Sequence, residues 1–280
     1  MRLTTESGRS AVKLPVAPDQ RIDPAAVLAA LSADPHISHL GLVYSETATG
    51  IVHDAPALAA AAGQAGRRVI VDAISAFGAL PLDLGAMPMV DSVAFTANKC
   101  LEGLPGLSFS VARVDRLLEC AGRAESWSLD LADLYDHTRR IGAGSSRFTP
   151  SAQAIAALDV ALDLFDAEGG QPARLRRYTS NMRVLYEGVQ GLGLRPCLDP
   201  DMQGPVVINV HAPVGPEWDL QDFVDRLKLR GVLISNFYNT EQPSFRLGCI
   251  GALSPADMGQ VITAMRQVML SMGLQVQRAA

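Results

Sequence analysis

The feature that most constrains the fold of this chain is a series of short apolar runs separated by longer stretches of helical pattern. The runs HLGLVYSE (39–46), RRVIVDAI (67–74), DSVAFTA (91–97) and LSFSVAR (107–113) are each nearly continuous in apolar residues. Strands without polar alternation are buried on both faces, which is typical of a mainly parallel sheet covered by helices. The sequence therefore predicts an α/β protein built around such a sheet.

Helical periodicity and capping residues mark helices before, between and after these strands. A helix is predicted to begin at Asp23-Pro24, another to span 56–66, and a long one to run from 151 to about 167. The pair Gly169-Gly170 ends the long helix. We place a domain boundary there, with a large domain at 1–170 and a smaller α/β domain at 171–280. In the smaller domain the pattern predicts helices at 173–190, 217–230 and 254–272, and strands at 205–211, 231–236 and 244–249.

Composition and charge exclude several classes of function. The 280 residues are 48% apolar and 19% charged, which is ordinary for a soluble globular enzyme. The net charge is −5 with scattered basic residues, so no nucleic-acid partner is expected. No run reaches the roughly 20 apolar residues of a membrane helix, and the histidines fall at no metal-ligand spacing. The four cysteines form no C-x-x-C pair, which favours reduced thiols in a cytoplasmic protein; they are Cys100, Cys120, Cys197 and Cys249.

Two of the predicted strands end in polar residues that could carry chemistry. One ends at Asp72, and the other runs through Thr96 and Asn98 to Lys99. Ligands of parallel sheets lie outside the carboxyl ends of the strands, so Asp72 and Lys99 are expected to face one crevice. Each residue alone has a plainer interpretation, with Asp72 as the cap of the next helix and Lys99 as a surface lysine. The glycines of the stretch 103–106 favour close backbone approach to a ligand.

A lysine and an aspartate in one crevice have a definite chemical use. Desolvation or a neighbouring cation lowers the lysine pKa from about 10.4, and the neutral amine then attacks an aldehyde. A carboxylate can pair with a protonated pyridine nitrogen and keep the ring cationic. These are the requirements of pyridoxal phosphate, which uses that ring to withdraw electrons.

At this point the sequence resembles a known family of enzymes. The segments YSETATGI, VDAISAFGALPLD, FTANKCLEGLPG, RFTPS and FRLGCIG are similar to those of 2-aminoethylphosphonate:pyruvate aminotransferases, in the class-V branch of fold-type-I enzymes. The similarity extends over about residues 36–275. It implies a fold-type-I homodimer that uses pyridoxal 5′-phosphate to convert 2-aminoethylphosphonate and pyruvate into phosphonoacetaldehyde and L-alanine.

Members of that family carry an N-terminal segment with a glycine- and serine-rich turn whose amides bind the cofactor phosphate. No strand, glycine turn and helix of that kind precede Glu46 here. Two alternatives to the main hypothesis therefore stay open. One is an inactive shortened paralogue that acts as a dimerisation partner. The other is a related alanine– or serine–glyoxylate aminotransferase.

The resemblance also implies roles for particular residues around the cofactor. Lys99 would hold the cofactor covalently, and Asp72 would pair with the ring nitrogen. Ile74 would pack on the ring face, where the alternative is a plain core residue. The remaining cofactor contacts that it implies are Thr47 and Ser75 near the ring hydroxyl, Thr96 and Asn98 at the phosphate, and Thr149 at the phosphate of the neighbouring protomer's cofactor. Without the family, Thr47 would be interpreted as a turn residue and Thr149 as a helix N-cap.

Arginine supplies the expected substrate anchor. Arg246, between Phe245 and Leu247, has a guanidinium that matches both phosphonate and carboxylate oxygens. Its alternative is a strand arginine that faces solvent, and in either case its apolar neighbours should face the other side of the strand. The cluster Arg174, Arg176 and Arg177 is predicted to be a solvated helix face. Tyr44 stands where the family usually has histidine.

Overall fold

The computed structural model describes residue 4, residues 6–237 and residues 242–276. Its first sheet has four strands in the order β1-β2-β3-β4. The first three pairings along the chain are parallel, parallel and antiparallel, so the prediction of a mainly parallel sheet is confirmed, and only the last strand runs the other way. The strands are β1 (His39–Val43), β2 (Arg68–Asp72), β3 (Val90–Thr96) and β4 (Ser108–Ala112).

Helices α1 (Pro24–Ala33) and α2 (Ala55–Gln64) pack against one another and against this sheet. The N-cap predicted at Asp23 is confirmed, because its carboxylate accepts a hydrogen bond from the amide of Ala25. Val69 and Val71 are fully buried on the helix side, whereas Ile70 between them is 45% exposed. Within the described residues, β2 is therefore buried on one face and half-open on the other.

The segment between β4 and the long helix contains helices that the sequence pattern did not reveal. It forms α3 (Val114–Glu119), a short 3₁₀ turn (Trp127–Leu129) and α4 (Leu131–Ile141). Helix α4 did carry signals, because Asp130 caps its first amides and two arginines occupy its last turn. Of its residues only Ala132 is buried, so the helix contributes little to the core.

Two long helices lead to the second sheet. Helix α5 (Ala152–Glu168) and helix α6 (Gly170–Gly191) are separated by Gly169, whose φ of +106° is a conformation that glycine tolerates. The second sheet is antiparallel, in the order β5-β6-β8-β7. Its strands are β5 (Arg195–Pro196), β6 (Val207–His211), β7 (Ser235–Phe237) and β8 (Ser244–Gly248).

The helices of the second sheet share its apolar core. Helix α7 (Leu220–Lys228) contributes Phe223 and helix α8 (Pro255–Ser271) contributes Met265, and both side chains are fully buried. The predicted start of the last helix is confirmed, with Ser254 and the first-turn aspartate forming a reciprocal capping box. The predicted order of helices and strands after residue 170 agrees with the structure within a few residues.

Candidate active site

The carboxyl ends of β1, β2 and β3 lie at one edge of the first sheet. Val43 pairs with Asp72, and Asp72 pairs with Ala94, two residues before β3 ends. The amide of Tyr44 donates to the carbonyl of Asp72 at 2.9 Å, so the loop after β1 leaves the sheet beside the end of β2. Asp72 and the turn that carries Lys99 therefore lie at the same edge.

Asp72 is held in place by the turn that follows it. Its Oδ1 accepts a hydrogen bond from the amide of Ile74 at 2.9 Å, and residues 74–79 form turns rather than a helix. The plainer interpretation of Asp72 as a helix cap is thus wrong, and it caps a turn. The interpretation of Ile74 as a core residue is also wrong, because its side chain is 39% exposed at the sheet edge.

Lys99 lies on the turn directly after β3 and is partly buried. Within the described part of the chain its amine makes no hydrogen bond or ion pair, so it is available to react. The Thr96 hydroxyl lies 2.8 Å from both Asn98 Oδ1 and the carbonyl of Leu107, and so closes the loop behind the turn. A phosphate contact from Thr96 or Asn98 stays a prediction.

The arginine cluster on α6 is the clearest correction to the sequence analysis. Arg174 is only 1% exposed, and its Nε donates to Glu168 at 2.7 Å. Arg177 contacts Glu168 at 2.8 Å and Glu102 at 2.9 Å. Only Arg176 lies on an exposed position. The solvated face was predicted because Glu102 lies 75 residues before Arg177, and because Glu168 lies on the preceding helix, beyond the turn at Gly169.

Arg246 and Thr47, which are 199 residues apart, are brought together. Nη1 of Arg246 donates to the carbonyl of Thr47 at 2.8 Å. Phe245 and Leu247 are 0% and 3% exposed in the core behind β8, which confirms that they face the other side of the strand. The guanidinium of Arg246 thus points from the second sheet toward the loop that follows β1, and it does not simply face solvent.

Asn209 is a polar residue of this region that the sequence analysis missed. It lies on β6 directly opposite Arg246, and its side chain is 1% exposed. Among the described residues, its Oδ1 has no hydrogen-bond partner. An asparagine inside an otherwise apolar strand, VVINVH (206–211), was the available signal.

The remaining predicted residues have mixed surroundings. Ser75 is 4% exposed, and its carbonyl lies 3.5 Å from the thiol of Cys100. Thr149 is exposed and lies two residues before Ser151, the N-cap of α5, so its interpretation as the cap is wrong. Tyr44 is buried and donates to the carbonyl of Pro81 at 2.8 Å. Burial, with a smaller contribution from a nearby aspartate, raises the pKa of this phenol.

The described ranges contain neither a cluster of metal-binding side chains nor a helix that could span a membrane. Within residues 6–237 and 242–276, no group of three or more metal-binding side chains is clustered. No helix in the same ranges combines the length and the apolar character that crossing a membrane requires. All four cysteines are free thiols.

The residues at the sheet edge fit pyridoxal phosphate. The Lys99 amine can react with an aldehyde, Asp72 presents an oriented carboxylate, and Ile74 exposes an apolar side chain beside it. Arg246 supplies a cation directed at the same loops. A mainly parallel sheet with this set of side chains at its carboxyl edge defines a fold-type-I pyridoxal-phosphate enzyme.

Comparison with known proteins gives the family. Residues 1–246 match the family described as aminotransferase class-V, and the chain belongs to that family. A 2-aminoethylphosphonate–pyruvate transaminase from Burkholderia ambifaria is 42% identical over 280 residues, covering 100% of this chain and 74% of the relative. One from Pseudomonas fluorescens is 38% identical over 265 residues, covering 95% of this chain and 71% of the relative.

Solved structures agree with that assignment. Pyridoxamine-pyruvate aminotransferase from Mesorhizobium loti superposes with a TM-score of 0.84 at 26% identity, covering 95% of this chain and 68% of that one. An aspartate aminotransferase from Thermus thermophilus gives a TM-score of 0.82 at 26% identity, covering 97% and 74%. The predictions of the fold, of a pyridoxal-phosphate cofactor and of aminotransferase activity are confirmed.

Proposed function

We propose that this class-V aminotransferase transfers the amino group of 2-aminoethylphosphonate to pyruvate, giving phosphonoacetaldehyde and L-alanine. The observation that carries the proposal is the orientation of Arg246 toward the Thr47 loop, at the end of the molecule where Lys99 and Asp72 leave the first sheet. The 42% identity to a relative named for this reaction supports the choice of substrates.

The proposed cofactor residues act in distinct ways. When bound, pyridoxal phosphate supplies an aldehyde and a ring that withdraws electrons. The Nζ of Lys99 would hold the aldehyde, and the same amine would serve as a general acid–base for the proton that transamination moves. The carboxylate of Asp72 would pair with the ring nitrogen. The exposed side chain of Ile74 would exclude water from the ring.

Arg246 binds the anionic end of each substrate in turn. A guanidinium pairs with two oxygens of a phosphonate or of a carboxylate, so one residue serves 2-aminoethylphosphonate first and pyruvate afterwards. Thr47 and Ser75 are assigned to the ring hydroxyl, and Thr96 and Asn98 to the phosphate, on the strength of the family resemblance alone.

The proposal includes a homodimer in the cytoplasm. Each chain of this dimer has a large domain at 1–170 and a smaller domain at 171–280. Large apolar side chains are exposed close to Thr149, including Ile141 at 66% and Phe148 at 51%, which favours contact with a second copy. Thr149 would then reach the cofactor phosphate of the partner subunit. Sedimentation equilibrium of the purified chain measures the association, and a monomer at micromolar concentration would contradict it.

The cofactor part of the proposal is tested by absorbance. The purified chain with added pyridoxal phosphate should develop the visible band of a lysine-bound cofactor. Lys99→Ala should lose that band completely. Lys228→Ala, which removes an exposed lysine at the end of α7, is the matched control and should keep it. A band that survives in Lys99→Ala would show that another group holds the cofactor.

The substrate part is tested by comparing amino donors against a fixed acceptor. We expect 2-aminoethylphosphonate with pyruvate to be turned over faster than alanine or serine with glyoxylate. Arg246→Met should raise KM for both substrates of the preferred pair, because both use the same guanidinium. Turnover of alanine without turnover of the phosphonate would refute the substrate assignment while leaving the enzyme class intact.

A further inference from the structure

Hydrogen bonds and ion pairs of buried charged side chains connect the turn that carries Lys99 to helix α6. Nη1 of Arg174 donates to the backbone carbonyl of Cys100, the residue after Lys99, at 2.6 Å. Arg174 is 1% exposed and is the single charged residue among the buried residues of the described part of the chain. A charged side chain at that depth is costly unless it is fully paired, so its contacts deserve a specific explanation.

Glu102 fastens the other end of the same turn. It accepts hydrogen bonds from the Tyr178 hydroxyl at 2.6 Å and from Arg177 at 2.9 Å. Its amide donates to the carbonyl of Lys99 at 3.0 Å, which closes the turn. The segment from Cys100 to Glu102, directly after Lys99, is thus held at both ends by α6.

The backbone of Glu102 is strained. Its φ is +60°, and it is the single non-glycine residue with a positive φ among the described residues. Such a conformation persists only where the surroundings over-determine it, and it is concentrated at functional sites. Here the surroundings are the two hydrogen bonds to its carboxylate, because they pull the side chain toward α6.

The cluster balances its own charge. Glu168 at the end of α5 accepts from both Arg174 and Arg177, so two guanidinium groups face two carboxylates. Arg177 also donates to the carbonyl of Gly251, which connects the cluster to the segment after β8. Buried ion pairs add little net stability compared with apolar packing, so orientation explains this arrangement better than stability does.

The cluster and Lys99 share one neighbour, the buried thiol of Cys100. The charges of Arg174, Glu102 and Lys99 all act on the thiol of Cys100, where burial is the largest influence and raises the pKa to about 12. One buried thiol therefore lies within electrostatic reach of the cluster and of the reactive amine.

We propose that Arg174 and Glu102 are positioning residues for Lys99. By clamping the turn from Lys99 to Glu102 against α6, they fix the direction in which the Lys99 amine leaves the sheet edge. The inference rests on the proposed function only in that Lys99 is the cofactor lysine, and it is independent of which substrates are used.

The test compares the binding of two forms of the cofactor to the purified chain. Pyridoxal phosphate links covalently to Lys99, whereas pyridoxamine phosphate has no aldehyde and reports only on the pocket. We expect Arg174→Met to slow the appearance of the visible band about 10- to 100-fold, the cost of a misplaced reacting group. Pyridoxamine phosphate affinity should be unchanged. Arg176→Met, an exposed arginine of the same helix, is the matched control and should behave as wild type.

A less disruptive substitution tests the same role if Arg174→Met fails to fold. Tyr178→Phe keeps the ring in the core and removes only the hydroxyl bonded to Glu102, so it should slow band formation in the same sense. Arg174→Lys, which keeps the charge and one donor, should restore part of the rate.

Four results would be decisive. Equal weakening of pyridoxal and pyridoxamine phosphate binding would mean a merely structural cluster and would overturn the proposal, as would band formation at the wild-type rate in Arg174→Met and Tyr178→Phe. A wild type that never forms the band would overturn it together with the cofactor assignment. A wild type that forms the band with no turnover of phosphonate would refute the substrates alone, and the variants would still support the positioning role.

Discussion

Gly50 lies where the loop after β1 closely approaches the second sheet. A Cβ at this position would lie 2.3 Å from the carbonyl oxygen of Val207 and 2.8 Å from Gln203 Nε2. The glycine also has a φ of +91°, and its own carbonyl accepts from the amide of Gly204 at 2.9 Å. Replacement by alanine therefore meets two separate penalties, one from backbone strain and one from steric overlap.

Both penalties can be estimated. The left-handed backbone costs a residue with a Cβ about 1–2 kcal/mol. The Cβ must also move from 2.3 Å to at least the 3.0 Å that real contacts show, against a carbonyl fixed within β6. Overpacking of this kind costs about 1–3 kcal/mol. We expect Gly50→Ala to lose about 2–5 kcal/mol of unfolding free energy.

Gly144→Ala separates the two penalties. Its φ of +84° is similar, but nothing lies within 4 Å of the added Cβ. It should therefore lose only the backbone part, about 1–2 kcal/mol, in urea unfolding followed by circular dichroism. Gly50→Ala should in addition raise KM for the oxo acid, because it displaces the loop whose Thr47 carbonyl holds Arg246. Equal losses in the two variants would refute the reasoning.

Two further predictions concern stability. The hydrogen bonds from Arg177 and Arg174 hold the pKa of Glu168 below its usual range, so the stability that this carboxylate contributes is present at neutral pH and is lost as the pH falls through the folded-state pKa. The difference in unfolding free energy between wild type and Glu168→Gln should therefore shrink in acid. A difference that stays constant with pH would contradict the assignment. Phe245→Ala should cost about 3–5 kcal/mol because Phe245 is fully buried against Phe223, whereas Leu270→Ala, at a position 57% exposed, should cost far less in the same urea titration.

The elements that the sequence predicted best are those with strong local patterns. The strands, the long helices and the capped start of α8 follow from apolar runs and capping residues that need no distant partner. The antiparallel direction of β4 also had a signal. Parallel neighbours need a crossover of a dozen or more residues, usually helical, and the connection between β3 and β4 is shorter and contains no helix.

The residues of the candidate site likewise divide into those with a local sequence signal and those that depend on distant partners. Asp72 and Lys99 could be placed at one edge because both follow strands of one sheet, and the carboxyl ends of parallel strands coincide. The burial of Arg174 could not be predicted, since its two partners, the Cys100 carbonyl on the Lys99 turn and the Glu168 carboxylate, are positioned only by tertiary packing. The charge of an arginine by itself predicts a solvent-exposed side chain, and only the fold reveals which arginines of a helix are paired.

The reactive amine and the proposed substrate anchor come from different sheets, so their alignment depends on contacts between the two. Arg246 reaches the loop after β1 through the carbonyl of Thr47, and Arg177 joins the Lys99 turn to the carbonyl of Gly251 just beyond β8. Both connections begin at β8, one on the strand itself and one in the segment that follows it. The guanidinium of Arg246 is thereby oriented before any anion arrives, which lowers the entropic cost of binding. A change that loosens β8 should therefore weaken substrate binding and disturb the lysine turn together.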